Sequence, residues 1–165
     1  MKIYIGITDR GWFDQLRDDH ANEVNFWRPG GKSPFKALQP NELFLFRQHS
    51  KDGGKICGGG TFVSSSIMPC DAAWRKFERG NGVPDCISLR ERILRCRQQA
   101  GGDMLRLDIG CIVLTKPFFF NEDEFLDPPS DWARPVGPGK CYDTAEELGA
   151  RLFEQVQNVL AKRTA

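Results

Sequence analysis

The side chains best suited to hold a flat ring are concentrated near the amino end of the chain. In the stretch "VNFWRPGG", Asn25, Phe26, Trp27 and Arg28 stand next to one another before a loop. An aromatic face beside an amide that both donates and accepts hydrogen bonds suits a planar heterocycle. Alternation along a strand places Asn25 and Trp27 on one face and Phe26 on the other, so one ring could line a cavity. The plainer alternative is that both rings anchor the loop in the core.

Catalytic chemistry has less support. Ser64, Ser65 and Ser66 lack a GxSxG turn, and no local signature pairs a cysteine with His20 or His49. The acidic stretch "NEDEF" could serve a metal-dependent nuclease, but acids directly after a strand are typical of a helix start. Six cysteines without a CxxC pair do not predict a zinc site, and "GGKS" lacks the first glycine of a phosphate loop. The residues therefore favour a binding module without metal or cofactor over an enzyme.

Composition narrows the class of protein further. The 165 residues suit one domain, and 23 Lys and Arg nearly balance 22 Asp and Glu, so any nucleic-acid surface must be a local patch. No apolar stretch approaches the length of a membrane span, and the start lacks the features of a signal peptide. Scattered cysteines without such a signal are typical of reduced thiols, which predicts a cytoplasmic protein.

The elements that must position these side chains form an α+β pattern. Strands are predicted at Lys2 to Ile7, at Leu43 to Ser50 and from Lys55 to Pro69, where three successive glycines indicate a bulge or a close approach. The longest apolar run, Leu107 to Phe120, predicts a central strand, and the residues after it read as mostly irregular. A long Pro- and Gly-rich loop follows Trp27.

Helix signals accompany the strands. Thr8 or Asp9 is expected to cap a first helix, and the spacings Ser88–Glu91 and Thr144–Glu147 predict capping boxes for two later ones. A further helix is predicted around Trp74. Leu148, Leu152, Val156, Val159 and Leu160 form one apolar stripe on the last helix. We therefore expect a small mixed sheet, strongly bent or barrel-like, with flanking helices and functional loops at one end.

Several stretches together resemble a known family. They are "MKIYIGITDRGWF", "EVNFWRPGG" leading to "FKALQPNELFLFRQHS", "GGGTFV", "DIGCIVLTKPFFF", and "DW" followed by "GKCYD". In order and spacing, from Met1 to about Tyr142, they resemble the EVE-type branch of the PUA-like superfamily. The resemblance is greatest to the domain that precedes the nuclease in HNH-type, modification-dependent restriction endonucleases.

The resemblance implies a function as well as a fold. It implies a bent β-barrel-like sheet and a pocket for one base flipped out of duplex DNA, a modified cytosine such as 5-methyl- or 5-hydroxymethylcytosine, in a restriction system of phage defence. Residues 1–143 would be the base-reading domain. Residues 144–165 would be a helix that leads to an HNH nuclease, fused or associated, which this chain does not contain. The expected partner is double-stranded DNA that carries the modified base.

Carried over position by position, the resemblance assigns the base pocket to three segments. Its members are Thr8, Asp9 and Trp12; Asn25, Phe26 and Trp27; and Phe46, His49 and Ser50. Trp27 is the first choice for stacking on the base and Trp12 the second. Asp9 would accept from the exocyclic amine, with a helix N-cap as its alternative role, and Asn25 would bind the O2/N3 edge.

Flipping also requires a grip on the DNA backbone. The candidates flank the pocket or belong to the matching stretches: Arg28, Lys32, Lys36, Arg47, Lys51, Lys140 and Tyr142. Taken singly, each is more typical of an ordinary surface residue, and the DNA contact is predicted for the group. The basic run Arg90, Arg92, Arg95 and Arg97 favours a solvated helix surface over a phosphate-binding one. The rival functions are an RNA-binding PUA-like module and a stand-alone nuclease.

Overall fold

The computed structural model describes residues 1–100, 107–132, 134 and 137–164, with the side chains of 98–100 and 164 left aside. Its strands are β1 (Lys2–Thr8), β2 (Glu23–Arg28), β3 (Leu43–Gln48), β4 (Ile56–Pro69), β5 (Asp108–Phe119) and β6 (Gly139–Asp143). Its α-helices are α1 (Arg10–Asp18), α2 (Cys70–Phe77), α3 (Cys86–Ala100) and α4 (Glu147–Thr164). None of these helices is long and apolar enough to cross a membrane.

The strands form one six-stranded mixed sheet in the order β2-β5-β4-β3-β1-β6. Only β1 and β3 run parallel, with Thr8 opposite Gln48 at their carboxyl ends. The sheet is strongly bent, since Phe26 on the edge strand β2 reaches Phe44 on β3 with ring centroids 4.7 Å apart. This confirms the predicted α+β class and the barrel-like curvature.

The two faces of β1 belong to two different cores. Ile3 and Ile5 are fully buried and pack with Leu152 and Val156 of α4, which confirms the predicted stripe on the last helix. The opposite face carries Tyr4, whose ring contacts Phe44 and Phe35 inside the bend. Helix α4 therefore closes the outer face of the sheet, and an aromatic core fills the concave face.

The three glycines of β4 allow its neighbours to come close. A Cβ on Gly58 would lie 2.3 Å from the Phe118 carbonyl oxygen, and one on Gly59 would lie 2.5 Å from that of Phe44. The pairing of β4 with β5 shifts register between Gly59 and Thr61. The predicted bulge and close approach are both confirmed.

Helix starts were predicted with mixed success. Asp9 caps α1, because its carboxylate accepts from the Trp12 backbone N–H at 3.2 Å. The capping box at Ser88 is wrong, since α3 begins earlier and Asp85 accepts from the Ser88 N–H at 2.8 Å. The box at Thr144 is also wrong, because its hydroxyl donates to the Met1 carbonyl at 3.1 Å instead of capping α4. Asp85 is a competing capping residue three positions upstream of Ser88, whereas Thr144 is held by the distant residue Met1, which the local pattern does not contain.

The stretch predicted to be mostly irregular contains the edge strand β6. Its five residues, GKCYD, have no apolar alternation, so sequence patterning gives no strand there. Antiparallel pairing with β1 forms the strand.

Candidate functional site

A cavity of about 460 Å³ lies at the carboxyl ends of β1 and β3, beside the start of α1. Thr8 and Gln48, the last residues of the two parallel strands, both line it. The mouth of a bent or barrel-like sheet is a common place for a ligand, and a volume of this size is typical of ligand sites. The cavity is therefore the candidate site.

The floor of the cavity is apolar. Phe13, Phe120 and Phe125 line it together with Cys57. Phe13 is held by an edge-to-face contact with Phe119, with ring centroids 5.4 Å apart. Burial raises the pKa of the Cys57 thiol to about 12, and the thiol contacts the Phe46 carbonyl oxygen at 3.6 Å. A buried thiol with a raised pKa lacks the environment of a reactive cysteine. Phe13 and Phe120 are also buried, so the half-buried Phe125 provides most of the accessible aromatic surface of the floor.

Two side-chain amides provide polar contacts at the cavity. The Gln48 side-chain oxygen accepts from the Lys55 backbone N–H at 3.2 Å, which fixes the orientation of the amide. Asn121 precedes the short 3-10 helix Glu122–Glu124 in a reciprocal capping box: its side chain accepts from the Glu124 backbone N–H, and its backbone N–H donates to the Glu124 carboxylate at 2.8 Å. Both side chains that could read the edge of a ring are therefore positioned by backbone contacts.

The charged part of the rim lies on α1. Arg10, Asp14 and Arg17 all line the cavity, and their spacing places them on one helical face. The Asp14 carboxylate lies 3.6 Å from Arg10 Nε and 3.5 Å from Arg17 Nη1. Two further carboxylates, Asp52 and Glu122, also line the cavity. Both cations that line the cavity thus lie on α1, whereas the rest of the rim carries carboxylates.

The structure places some of the predicted pocket residues at this cavity. Thr8 lines it, and the exposed residues Asp9, His49 and Ser50 adjoin lining residues in sequence. Asp9 is the N-cap of α1, which is the alternative role predicted for it. It also lies 3.6 Å from Arg92.

Trp12, Phe26 and Phe46 form an interior cluster instead of an open wall. Trp12 is 4 % exposed and Phe46 is fully buried, and their rings meet edge to face with centroids 5.0 Å apart. The Trp12 indole N–H donates to the Asn25 carbonyl at 3.2 Å. Trp12, the second choice for stacking on a base, is therefore a core residue in this structure.

Asn81 occupies the place expected for a ligand beside Asn25. The Asn25 side chain is fully buried; its N–H donates to the Asn81 side-chain oxygen at 2.8 Å, and its oxygen accepts from the Ile112 N–H at 3.2 Å. The Trp27 indole N–H donates to the Asn81 carbonyl at 2.9 Å. Asn25 and Trp27 do share a face, as predicted, but Asn81, which lies between α2 and α3, fills the slot.

Two of the residues predicted to contact the DNA backbone are buried. Arg47 is 1 % exposed; it donates to the carbonyls of Gly54 and Trp132 at 2.9 and 2.7 Å, and its guanidinium lies 4.6 Å from the Trp132 ring centre. Tyr142 is 6 % exposed and donates to Asp131 at 2.9 Å. Arg47 and Tyr142 are therefore structural residues here, which corrects their assignment as phosphate contacts.

The remaining candidates for backbone contact lie at the surface. Lys140 forms a 2.8 Å ion pair with Asp131, and Arg28 donates to the Ser33 carbonyl at 3.1 Å. Lys32, Lys36 and Lys51 are exposed. None of these five side chains lines the cavity, so the structure brings no predicted phosphate contact to its rim.

The basic run on α3 is not a uniform solvated face. Arg97 is 6 % exposed and donates to the Pro29 carbonyl at 2.9 Å, whereas Arg90 pairs with Asp71 at 2.7 Å on the surface. The preferred prediction of a solvated helix surface therefore holds for Arg90 and fails for Arg97, which fastens the loop after β2.

Sequence reasoning missed the charged rim residues of α1 and all four residues of the floor. The signal for the α1 face was present, because Arg10, Asp14 and Arg17 follow the i, i+4, i+7 spacing of one helical face. Within "NEDEF", the helix start was recognised, but Asn121, Glu122 and Phe125 also line the cavity. Among the described residues, no group of three His, Cys, Asp or Glu side chains could hold a metal ion.

No protein-family model matches this chain, and no curated protein matches it. Solved structures do. The crystal structure of ASCH from Zymomonas mobilis aligns with a TM-score of 0.59 at 9 % identity, covering 92 % of this chain and 94 % of that one. A tyrosine-to-phenylalanine mutant of that protein gives 0.59 at 10 % identity, over 93 % and 98 % of the two chains. ASCH domains have the PUA-like architecture.

The chain has a PUA-like fold. This confirms the fold that the sequence resemblance implies, over nearly the whole chain. At such low identity the likeness concerns the fold alone, so what the PUA-like scaffold binds must be argued from the cavity.

Proposed function

We propose that this protein is a nucleic-acid-binding module that takes one base into the cavity at the ends of β1 and β3. The observation that carries the proposal is the half-buried Phe125 ring, backed by the buried rings of Phe13 and Phe120, next to the amides of Gln48 and Asn121. Stacking on an aromatic ring stabilises a bound base by about 1–3 kcal/mol. Amides supply the donors and acceptors that read its edge. The PUA-like fold is consistent with this function.

We further propose that the base is a modified cytosine in double-stranded DNA, as the sequence resemblance implies. Extracting a base costs a few kcal/mol, which stacking on this floor would offset. A 5-methyl group needs only an apolar recess, so its discrimination is expected to be modest, about 1–3 kcal/mol. An HNH nuclease, fused or associated, would supply the cleavage step in such a restriction system.

RNA binding is the second candidate, and one observation favours it. Three of the six cations predicted to grip a duplex are engaged elsewhere: Arg47 is buried, Lys140 pairs with Asp131, and Arg28 binds the Ser33 carbonyl. A base in single-stranded RNA needs no extraction from a duplex, so it requires less of a grip on the backbone.

One set of binding measurements separates these candidates. Fluorescence anisotropy at matched salt would compare duplexes carrying C, 5mC or 5hmC at one site with single-stranded RNA of the same sequence. Tightest binding to a modified duplex, by about tenfold over C, supports DNA reading. Preference for the single strand supports the RNA module, and equal affinity for all three duplexes contradicts the modified-cytosine proposal.

A pair of matched variants tests whether the cavity is responsible. Phe125 and Phe153 are both half-buried, but only Phe125 lines the cavity. Phe125→Ala is expected to lower affinity by about tenfold or more, since a stacking surface is lost. Phe153→Ala, on α4, should leave affinity unchanged, and an equal loss in both variants would contradict base binding at this site.

A further inference from the structure

The charges on α1 indicate how a ligand would be oriented in the cavity. We propose that Arg10 and Arg17 together bind the phosphate of the nucleotide whose base lies on the aromatic floor, and that Asp14 occupies the two arginines until the phosphate displaces it. This inference rests on the proposed function, because it names the second part of the same ligand.

The geometry of the three side chains supports this exchange. Arg10 Nε lies 3.6 Å from Asp14 Oδ2, and Arg17 Nη1 lies 3.5 Å from Asp14 Oδ1. One carboxylate is thus held between two guanidinium groups by separate oxygens, and all three side chains line the cavity. A phosphate in the same place would present its oxygens to both arginines.

Asp14 holds these arginines only weakly. Both N–O distances exceed those of a normal hydrogen bond, and the side chains of Arg10 and Arg17 are 72 % and 45 % exposed. Exposed ion pairs of this kind contribute little to stability, so separating them costs little. A phosphate carries more acceptor oxygens and matches the planar guanidinium with paired, charge-assisted hydrogen bonds. The exchange of carboxylate for phosphate is therefore favourable.

The rest of the rim fixes which end of the nucleotide lies at α1. The Arg17 guanidinium carbon lies over the Phe13 ring, 5.7 Å from its centre, so the cation stands on the floor of the cavity, and the half-buried Phe125 is the ring available for stacking. Asp52 and Glu122 also line the cavity and would repel a phosphate from the remainder of the rim. A nucleotide is thus expected to bind with its phosphate on α1 and its base over the phenylalanines.

Calorimetric titration of the full chain with cytidine and with cytidine 5′-monophosphate tests the proposal. Asp14→Asn is expected to bind the nucleotide about three- to tenfold more tightly than the wild type, since a competing charge is removed. Its affinity for cytidine should stay within about twofold, because the nucleoside has no phosphate. Asp71→Asn is the matched control: Asp71 pairs with Arg90 at 2.7 Å on the surface and does not line the cavity. Thermal unfolding would show that both variants remain folded.

The possible outcomes distinguish this inference from the proposed function. Equal tightening in both variants would indicate a general charge effect and overturn the inference. The inference would also be overturned if the wild type and Asp14→Asn bound the nucleotide with the same affinity as the nucleoside. That result would still support base binding in the cavity. Failure of both ligands to bind any variant would overturn it too, and would count against the base pocket itself.

Discussion

Asn25 has the functional groups of a base-reading residue and the surroundings of a core residue. Its amide is fully buried and is bound by Asn81 and by the Ile112 backbone. The sequence identifies the functional groups and the face shared with Trp27. It does not identify Asn81 as the partner, because 56 residues separate the two amides.

Replacing Asn25 tests this structural role. Asn25→Ala would leave the Asn81 oxygen and the Ile112 N–H buried without their partner, and each such group costs about 1–3 kcal/mol. We expect the free energy of unfolding to fall by about 2–4 kcal/mol in urea titrations. The exposed neighbour Asn22 serves as the control, and Asn22→Ala should change stability by less than about 0.5 kcal/mol. A stable Asn25→Ala variant with weakened nucleic-acid binding would instead restore Asn25 as a base reader.

At the scale of elements, the sequence predicts strands that carry an apolar run or a glycine pattern. It does not predict a strand that forms only by pairing with a distant segment. The apolar run of β5 and the glycines of β4 are visible in the sequence, and both appear in the structure. By contrast, β6 depends on pairing with β1, and Thr144 binds the amino-terminal residue rather than α4. The cavity likewise depends on distant contacts, because four separate segments of the chain meet to form it.

Because β4 lies close to its neighbouring strands, we expect substitution of Gly58 to lower the stability of the protein. Since a Cβ there would lie 2.3 Å from the backbone oxygen of Phe118, Gly58→Ala must push β5 away from β4. We expect a loss of about 1–3 kcal/mol in unfolding free energy, as for other overpacked interiors. Gly30→Ala provides the comparison, because nothing lies within 4 Å of its added Cβ, and it should be nearly neutral. Equal stability of the two variants would contradict the observed packing.

At the scale of the whole molecule, the bent sheet has a core on each face, and residues of both cores line the cavity. Helix α4 and the outer face of β1 form one buried cluster, while the concave face is filled by aromatic rings. The cavity opens where the parallel pair β1 and β3 ends. The resemblance predicted this fold and a pocket near the first strand. Of the predicted pocket residues, Thr8 lines the cavity, whereas Trp12 and Phe46 are buried; Arg10, Asp14 and the segment after β5 were not predicted.

The central claim is that one base of a bound nucleic acid enters the cavity at the ends of β1 and β3. Amide chemical-shift mapping by NMR during titration with the tightest-binding oligonucleotide tests it most directly. We predict that the largest changes fall on Thr8, Phe13, Gln48, Asn121 and Phe125, which line the cavity. Changes confined to the segment from Asn25 to Lys36, with the cavity residues unmoved, would contradict the claim.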